Sequence, residues 1–162
     1  MFAKLLASIT ARLERVMHRR PDFAVGGWVA PYLLRWWLIP RNKVGTAYLH
    51  KFFRSDDDRA LHDHPWLFNI TIMLRGRYLE HTIKAGGVHV VKEYRAGSVR
   101  FRWGGSPHRI EILPGETAVT VFLTGPIVRM WGFHCPKGWV PFYDFVAKGD
   151  TGSIGPGCGD KA

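Results

Sequence analysis

The chain has 162 residues, 46% of them hydrophobic and 14% aromatic, so it can form one globular domain and is too apolar to be intrinsically disordered. No apolar run reaches the about 18–20 residues of a membrane-spanning helix, and the N-terminus lacks the continuous apolar core of a signal peptide. The formal net charge of +10 favours anionic partners, although the basic residues are scattered and form no dense block.

Residues 2–18 place apolar side chains at helical spacing and basic residues on the other faces. This pattern predicts an amphipathic helix, which Pro21 ends. Such a helix either covers a sheet or one end of a barrel, which we favour, or lies on a membrane surface. An aromatic segment from Trp28 through Trp37 follows. We interpret residues 1–43 as the helix and an aromatic segment that covers the main domain.

Between residues 44 and 147 the pattern changes to short runs rich in Val, Ile, Phe, Tyr and Thr, separated by Gly, Pro and Asp turns. Regularly spaced short strands are typical of an antiparallel sandwich or a closed barrel. The predicted fold class is therefore all-β, with one helix at the N-terminus. The predicted strands are 46–53, 66–74, 77–83, 88–94, 98–103, 108–113, 117–124, 127–133 and 141–146.

From Lys148 the chain is rich in glycine and has few apolar side chains, which predicts a flexible tail over residues 148–162. The two cysteines, Cys135 and Cys158, are too few for a disulfide framework. Nothing in the sequence indicates secretion, so we expect a cytoplasmic protein.

Three histidines have a spacing that suits a metal site. His62 and His64 are two residues apart, and on a strand two such side chains point to the same face. A neighbouring strand could bring His108 to the same ion as a third nitrogen ligand. Imidazole ligands with open coordination positions suit Fe, Zn, Cu, Ni or Mn. A His-x-His pair alone is a weak signal, since isolated histidines are commonly surface or core residues.

The residues after His64 resemble the first motif of the cupin superfamily. That motif has a His-x-His pair, an acidic residue four or five places on, and a glycine six residues further. This chain has Asn69 in the acidic position and Gly76 in the glycine position, and it lacks the leading glycine of the motif.

The residues before His108 resemble the second cupin motif, which runs from a glycine through a proline and a second glycine to a histidine. Here it starts at Gly97, has Trp103 in place of the proline, and continues through Gly104 and Gly105 to His108. The resemblance covers about residues 46–146. It implies a jelly-roll β-barrel of the cupin type, and homodimers are common in that superfamily.

Among cupins, the motifs are most similar to those of the thiol dioxygenases, which also carry His-Asp-His without an acidic ligand. Those enzymes follow their third histidine with an arginine, as Arg109 does here. The resemblance implies an Fe(II) site of three histidines and a catalytic role for Arg109. That family also has Ser, His and Tyr alternating on a later strand, where this chain has Thr120, Phe122 and Thr124. A phenylalanine in place of the histidine argues against thiol oxidation, so the substrate stays open.

Four further residues are candidates for handling a substrate. Asn69 is neutral, so a dication on three imidazoles keeps a net positive charge that favours an anionic ligand. Its amide either hydrogen-bonds the substrate or oxygen, as a second catalytic residue, or faces a neighbouring strand. Arg100 and Arg102 share one face of a strand, and Arg129 follows a turn. These arginines either bind a substrate carboxylate or phosphate or lie in solvent.

The leading functional hypothesis is a non-haem Fe(II) oxygenase that acts on a small anionic organic substrate. The second is a redox-neutral metal cupin, an isomerase or hydrolase that uses Zn, Mn or Ni as a Lewis acid. A third is a non-enzymatic module that binds nucleotides or other anionic metabolites. Nucleic-acid binding is weaker, since no nucleic-acid motif is present.

Overall fold

The computed structural model describes residues 2–56, 60–148 and 150–159. It begins with helix α1 (Phe2–Glu14), which continues as one 3₁₀ turn (Arg15–His18), and a second short helix, α2 (Phe142–Phe145), lies near the C-terminus. No helix in these ranges is both long and apolar enough to cross a membrane. The strands are β1 (Phe23–Val25), β2 (Leu33–Ile39), β3 (Thr46–Phe52), β4 (Leu61–His62), β5 (Phe68–Lys84), β6 (Val88–Arg95), β7 (Val99–Trp103), β8 (His108–Glu111), β9 (Ala118–Thr124), β10 (Gly132–Cys135), β11 (Gly138–Pro141), β12 (Val146–Ala147) and β13 (Asp150–Ile154).

The long strand β5 connects the two halves of the barrel. Its first half pairs with β7 and β9, and its second half pairs with β6 and β8. The strand bends at Gly76, which has a φ of 73°. A Cβ at this position would collide with the carbonyl oxygen of Thr117, so the bend requires glycine. The two strands that the sequence predicts at 66–74 and 77–83 are thus one strand, which passes from one sheet of the barrel to the other.

The antiparallel pairing among the described residues follows the order β1-β2-β3-β9-β5-β8-β4-β10-β11. This arrangement confirms the predicted all-β class with an N-terminal helix. The helix packs Leu13 and, through its 3₁₀ turn, Val16 and Met17 on the cluster that contains Trp36 and Leu49. It therefore covers a sheet, the role that the sequence analysis favours.

The segment expected to be only a cover contributes two strands. β1 pairs with β2, and β2 extends the main sheet by pairing with β3, where Arg35 lies opposite His50. The aromatic residues of this segment alternate along β2, with Trp36 buried and Trp37 half-buried. The boundary predicted at residue 43 therefore separates strands that belong to one sheet.

The C-terminal segment also differs from the prediction of a flexible tail. β13 pairs with β12, and a disulfide joins Cys135 on β10 to Cys158. The segment predicted as a strand at 141–146 is mostly helix α2. A single disulfide is more typical of an oxidising compartment than of the cytoplasm. The cytoplasmic location therefore stays a prediction.

Reduction of this disulfide is expected to lower the free energy of unfolding by about 3 kcal/mol, because the bond closes a loop between residues 23 positions apart. Urea unfolding with and without a reductant measures this change. The double variant Cys135→Ser/Cys158→Ser should unfold at the same urea concentration as the reduced wild type and should not respond to the reductant. Equal stability of the oxidised and reduced wild type would contradict the prediction.

Candidate metal centre

The structure brings the three predicted histidines together. Their ring centroids lie 4.9–5.2 Å apart, and one ligand atom from each of His62, His64 and His108 lies within 4.8 Å of the others. The Nε2 atoms of His64 and His108 are 2.9 Å apart. Within residues 2–56, 60–148 and 150–159, these three histidines are the one group of potential metal ligands that lie this close together.

Strand pairing and one turn hold these histidines in place. His62 on β4 lies opposite His108 on β8 in an antiparallel pair. His64 follows β4, and its backbone N–H donates to the carbonyl of Gly104 over 2.8 Å. The intervening Asp63 points the other way and is buried. The alternation expected for an extended His-x-His segment is therefore present, although only His62 lies within a strand.

Glu80 on β5 contacts His108 from behind. Its Oε1 lies 3.1 Å from Nδ1 of His108, on the side of the ring away from His64. The same carboxylate accepts a hydrogen bond from Nε of Arg102 and another from Nε of Arg100. A carboxylate at Nδ1 favours the tautomer with its proton there, which leaves the Nε2 lone pair free for a metal.

Burial and the charge of Arg102 decide which of Glu80 and His108 is charged. Burial, followed by the charge of Arg102, lowers the pKa of His108 to about 3. Burial alone would raise the pKa of Glu80, but the contact with Nδ1 of His108 and the charge of Arg102 outweigh it, so its pKa lies well below the usual range. Glu80 is therefore ionised and His108 neutral near pH 7.

The other two histidines are neutral for the same main reason. Burial lowers the pKa of His62, although Asp56 opposes the shift. Burial and then the neighbouring His108 hold the pKa of His64 well below its ordinary value. Neutral imidazoles are the form that binds metal ions.

The donor set fits a divalent transition metal. Two nitrogens 2.9 Å apart can both reach one ion with bonds of about 2.1 Å. Three imidazoles and no carboxylate suit Fe, Zn, Cu, Ni or Mn better than Mg or Ca, which prefer oxygen ligands. Three protein ligands also leave coordination positions open, as in catalytic rather than structural sites.

The histidines lie at the wall of a cavity of about 410 Å³. This volume is within the range of small-molecule sites. Most of the wall is apolar, and its polar groups include Arg35, Arg41, His50 and Asp56 in addition to the metal-site histidines. The aromatic residues that line the cavity are Phe23, Tyr32, Trp37, Tyr48, Phe52, Trp66, Phe122, Trp131, Phe133, Phe142 and Phe145.

Asn69, Arg100 and Arg102 lie behind the centre and do not line the cavity. Arg102 is 3% exposed, and besides Glu80 it donates to Oγ1 of Thr71 over 3.1 Å and weakly to Oδ1 of Asn69 over 3.4 Å. Arg100 shares this face, as predicted from strand alternation. The structure therefore places the two arginines in an ion pair with Glu80 where the sequence analysis expects substrate ligands.

Arg109 and Arg129 also pair with carboxylates of the same chain. Arg109 follows His108 on β8, so it points to the opposite face, and its guanidinium lies 3.8 Å from Glu111. Arg129 contacts the buried carboxylate of Asp63 over 2.9 Å. Asp63 also accepts from the backbone N–H of Gly132 over 2.9 Å. Neither arginine reaches the cavity wall.

Two arginines that the sequence analysis does not select line the cavity, the exposed Arg41 and the more buried Arg35, which is the inner one. Nε of Arg35 donates to Nε2 of His50 over 2.8 Å, and its guanidinium lies 4.6 Å from the ring centre of Tyr48. Burial lowers the pKa of Arg35 to about 10 and holds that of His50 well below its ordinary value. The alternation of Tyr48, His50 and Phe52 along one inward strand face is the sequence signal that points to His50.

Two of the three positions that correspond to the thiol dioxygenase triad line the cavity, and the third does not. Thr120 and Phe122 line the cavity, whereas Thr124 is buried and its Oγ1 accepts from the backbone N–H of Thr46 over 3.2 Å. The ring of Phe122 lies 5.8 Å from His64 and 5.3 Å from His50. The departure from the family pattern therefore lies in the cavity itself.

Acidification is expected to destabilise the metal-free protein below about pH 6.5. In the unfolded chain the histidines take up protons near their ordinary pKa, whereas folding holds the pKa of His108 at about 3. The free energy of unfolding therefore decreases as the pH is lowered between these values. Urea unfolding with a chelator, from about pH 7 to pH 4.5, measures this slope. His108→Asn should have a shallower slope, while His18→Asn, at an exposed position, should match the wild type. A wild-type slope equal to that of His108→Asn would contradict the prediction.

No protein-family model matches the sequence, and no curated protein matches it. The structure is similar to solved structures of oxalate decarboxylase, a cupin protein, one from a study of the Mn(II) centres of the Bacillus subtilis enzyme and one from a study of the substrate binding mode. Each comparison has a TM-score of 0.54 at 15% sequence identity and covers 74% of this chain. The chain has a cupin fold.

The likeness confirms the fold that the two motifs predict. The match covers 31% of the decarboxylase chain, so this chain corresponds to less than a third of that protein. At such identity the likeness shows the architecture only. The function of this chain must therefore be inferred from its own residues.

Proposed function

We propose that this cupin is a non-haem Fe(II) oxygenase that acts on a small anionic organic substrate. The observation that carries the proposal is the group of three neutral imidazoles, His108 buried and the other two half-buried, at the wall of an aromatic cavity. His62, His64 and His108 would hold the ion, which supplies open coordination positions and, if ferrous, one-electron chemistry with O₂.

The surrounding residues have two tasks in this proposal. Glu80 orients His108, and Arg102, Arg100 and Asn69 act through Glu80 as positioning residues. The aromatic wall excludes water, so charges inside the cavity interact more strongly than they do in solvent. Arg35 supplies the positive charge that attracts an anion. Arg109 and Arg129 have no contact with the cavity and stay outside this mechanism.

A redox-neutral reaction is the second candidate. The structural neighbours with the same fold are described by their Mn(II) centres. Three imidazoles accept Mn(II) or Zn(II) as well as Fe(II). In that case the chain's own residues would bind and orient the anion in the same way, and no oxygen would be consumed. Homodimer formation is a further proposal and is independent of this choice.

Metal content decides between these candidates. We expect protein purified without a histidine tag to contain about one metal ion per chain by elemental analysis, and His62→Ala and His108→Ala to lose it. Removal of one of three ligands weakens metal binding severely. The control is His18→Ala, the same change at an exposed position, which should keep the metal.

The identity of the metal and the response to oxygen complete the test. Iron together with oxygen uptake on addition of an organic acid supports the oxygenase. Manganese or zinc without oxygen uptake supports the redox-neutral candidate and overturns the oxygenase. Absence of metal in the wild type, even after anaerobic reconstitution, overturns both and leaves a non-enzymatic binding module.

A further inference from the structure

The charged groups that face the cavity favour an anion. Among residues 2–56, 60–148 and 150–159, Asp56 is the one acidic residue that lines it. Its carboxylate accepts from the backbone N–H of Ile110 over 3.0 Å and faces His62 at 3.9 Å. Arg35 and Arg41 supply two positive charges. Arg41 is exposed at the rim, whereas Arg35 lies further inside. In the part of the chain that the structure describes, the interior thus has one cation, Arg35, that no acidic residue neutralises.

Arg35 is held in a fixed position but has donors to spare. Nε is used by His50, and the guanidinium stacks on Tyr48. Within residues 2–56, 60–148 and 150–159, no carboxylate lies within ion-pair distance of Arg35, and no group accepts from its two Nη atoms. A planar guanidinium with its outer edge free matches a carboxylate, which accepts two parallel hydrogen bonds.

The wall between Arg35 and the histidines is aromatic. Tyr48, His50 and Phe122 are nearly parallel, with interplanar angles of 11–24° and ring centres 5.3–6.3 Å apart. Phe122 contacts both His50 and His64. Trp66 stands at 65° to Phe122, with ring centres 5.5 Å apart. One ring therefore lies next to both the hydrogen-bond partner of Arg35 and a metal-site histidine.

We infer that the cavity binds an aromatic monocarboxylate, with its carboxylate on Arg35 and its ring beside Phe122, next to His64. This inference rests on the proposed function and names its substrate class. A flat apolar body gains area burial and ring contacts from these walls. A small polar acid would leave that apolar surface in contact with water. A nucleotide would bring more charge than one inner arginine can match.

The test measures binding to metal-free protein, so that it does not depend on catalysis. Isothermal titration calorimetry in a chelator compares 3-phenylpropanoate with its neutral amide and with propanoate, which lacks the ring. We expect the wild type to bind 3-phenylpropanoate at least about tenfold more tightly than either, because a hydrogen bond to a charged group and a buried ring each contribute that much or more.

Variants assign the two parts of the ligand. Arg35→Met should bind 3-phenylpropanoate about 10–100-fold more weakly than the wild type, while its affinity for the amide is unchanged. Arg35→Lys should keep part of the preference for the acid. Phe122→Leu should weaken both phenyl ligands about three- to tenfold. The control Arg95→Met removes an exposed arginine outside the cavity and should match the wild type.

Each opposite result overturns the inference. Equal affinity of the wild type for the acid and the amide would show that the cavity does not recognise the carboxylate. An unchanged preference in Arg35→Met would show that Arg35 does not bind it. If Arg35→Met fails to fold by circular dichroism, the wild-type comparison and Arg35→Lys still decide. Binding of propanoate or inorganic phosphate as tight as that of 3-phenylpropanoate would exclude the aromatic class. Arg35-dependent binding in a protein that never takes up metal would leave this inference standing and overturn only the two metal-dependent candidate functions.

Discussion

Replacement of Glu80 by glutamine is expected to lower the free energy of unfolding by about 3–5 kcal/mol, because it leaves a buried arginine without its counter-charge. Glu80 is 1% exposed and Arg102 3% exposed. The amide keeps only one acceptor oxygen and has no charge. It therefore cannot neutralise Arg102 and also accept from Nδ1 of His108. Chemical denaturation in the presence of a chelator measures the loss without a contribution from bound metal.

The matched control is Glu93→Gln, because Glu93 pairs with Arg77 and Arg95 at the surface. Exposed ion pairs contribute about 0–1 kcal/mol, so this variant should be nearly as stable as the wild type. Similar losses for the two variants would contradict the central role of Glu80.

Glu80→Gln is also expected to weaken metal binding about 10–100-fold, as is usual when the partner of a histidine ligand is changed. The carboxylate no longer holds the Nδ1 proton of His108, so the orientation and basicity of the ligand ring change. Competition with a chromophoric chelator measures the affinity. An unchanged affinity in a folded variant would show that Glu80 stabilises the barrel alone.

Gly104→Ala is the second substitution with a large expected effect. A Cβ on Gly104 would collide with the carbonyl oxygen of Trp66 and contact that of His64 at 3.0 Å. The backbone of Gly104 also bonds to both sides of the histidine segment, donating to Leu67 over 3.0 Å and accepting from His64. Since backbone must move to admit the methyl group, we expect a loss of about 4 kcal/mol or more, together with loss of metal.

Gly105→Ala provides the control within the same turn. A Cβ on Gly105 would meet only Nη1 of Arg129 at 3.7 Å, which is an ordinary contact. This variant should unfold within about 1 kcal/mol of the wild type and keep its metal. A stable, metal-binding Gly104→Ala protein would show that the turn has more room than the structure indicates. The close approach of this turn to His64 therefore falls on Gly104, which is the residue between the proline and glycine positions of the second cupin motif, and not on the motif glycine, Gly105.

The features that sequence reasoning predicts here depend on neighbours along the chain. The period of two in the short runs predicts most strands, and the helical spacing of residues 2–18 predicts the helix. The spacing of His62 and His64 places both rings on one side of an extended segment, because that geometry is local. Gly76, the glycine of the first motif, marks a bend, and Gly104, beside the glycine of the second motif, marks a close approach, and few other residues allow either.

The features that sequence reasoning misses depend on which strands become neighbours. Arg35 meets His50 only because β2 and β3 pair in that register, and a shift of one residue would turn either side chain to the other face. Glu80 meets Arg102 and His108 from two different strands, so the arginines expected at the substrate are already neutralised inside the barrel. The disulfide likewise needs a partner 23 residues away. Local pattern therefore determines the strands and the spacing of the histidines, whereas register and packing decide which charges are paired and which one is left to face the cavity.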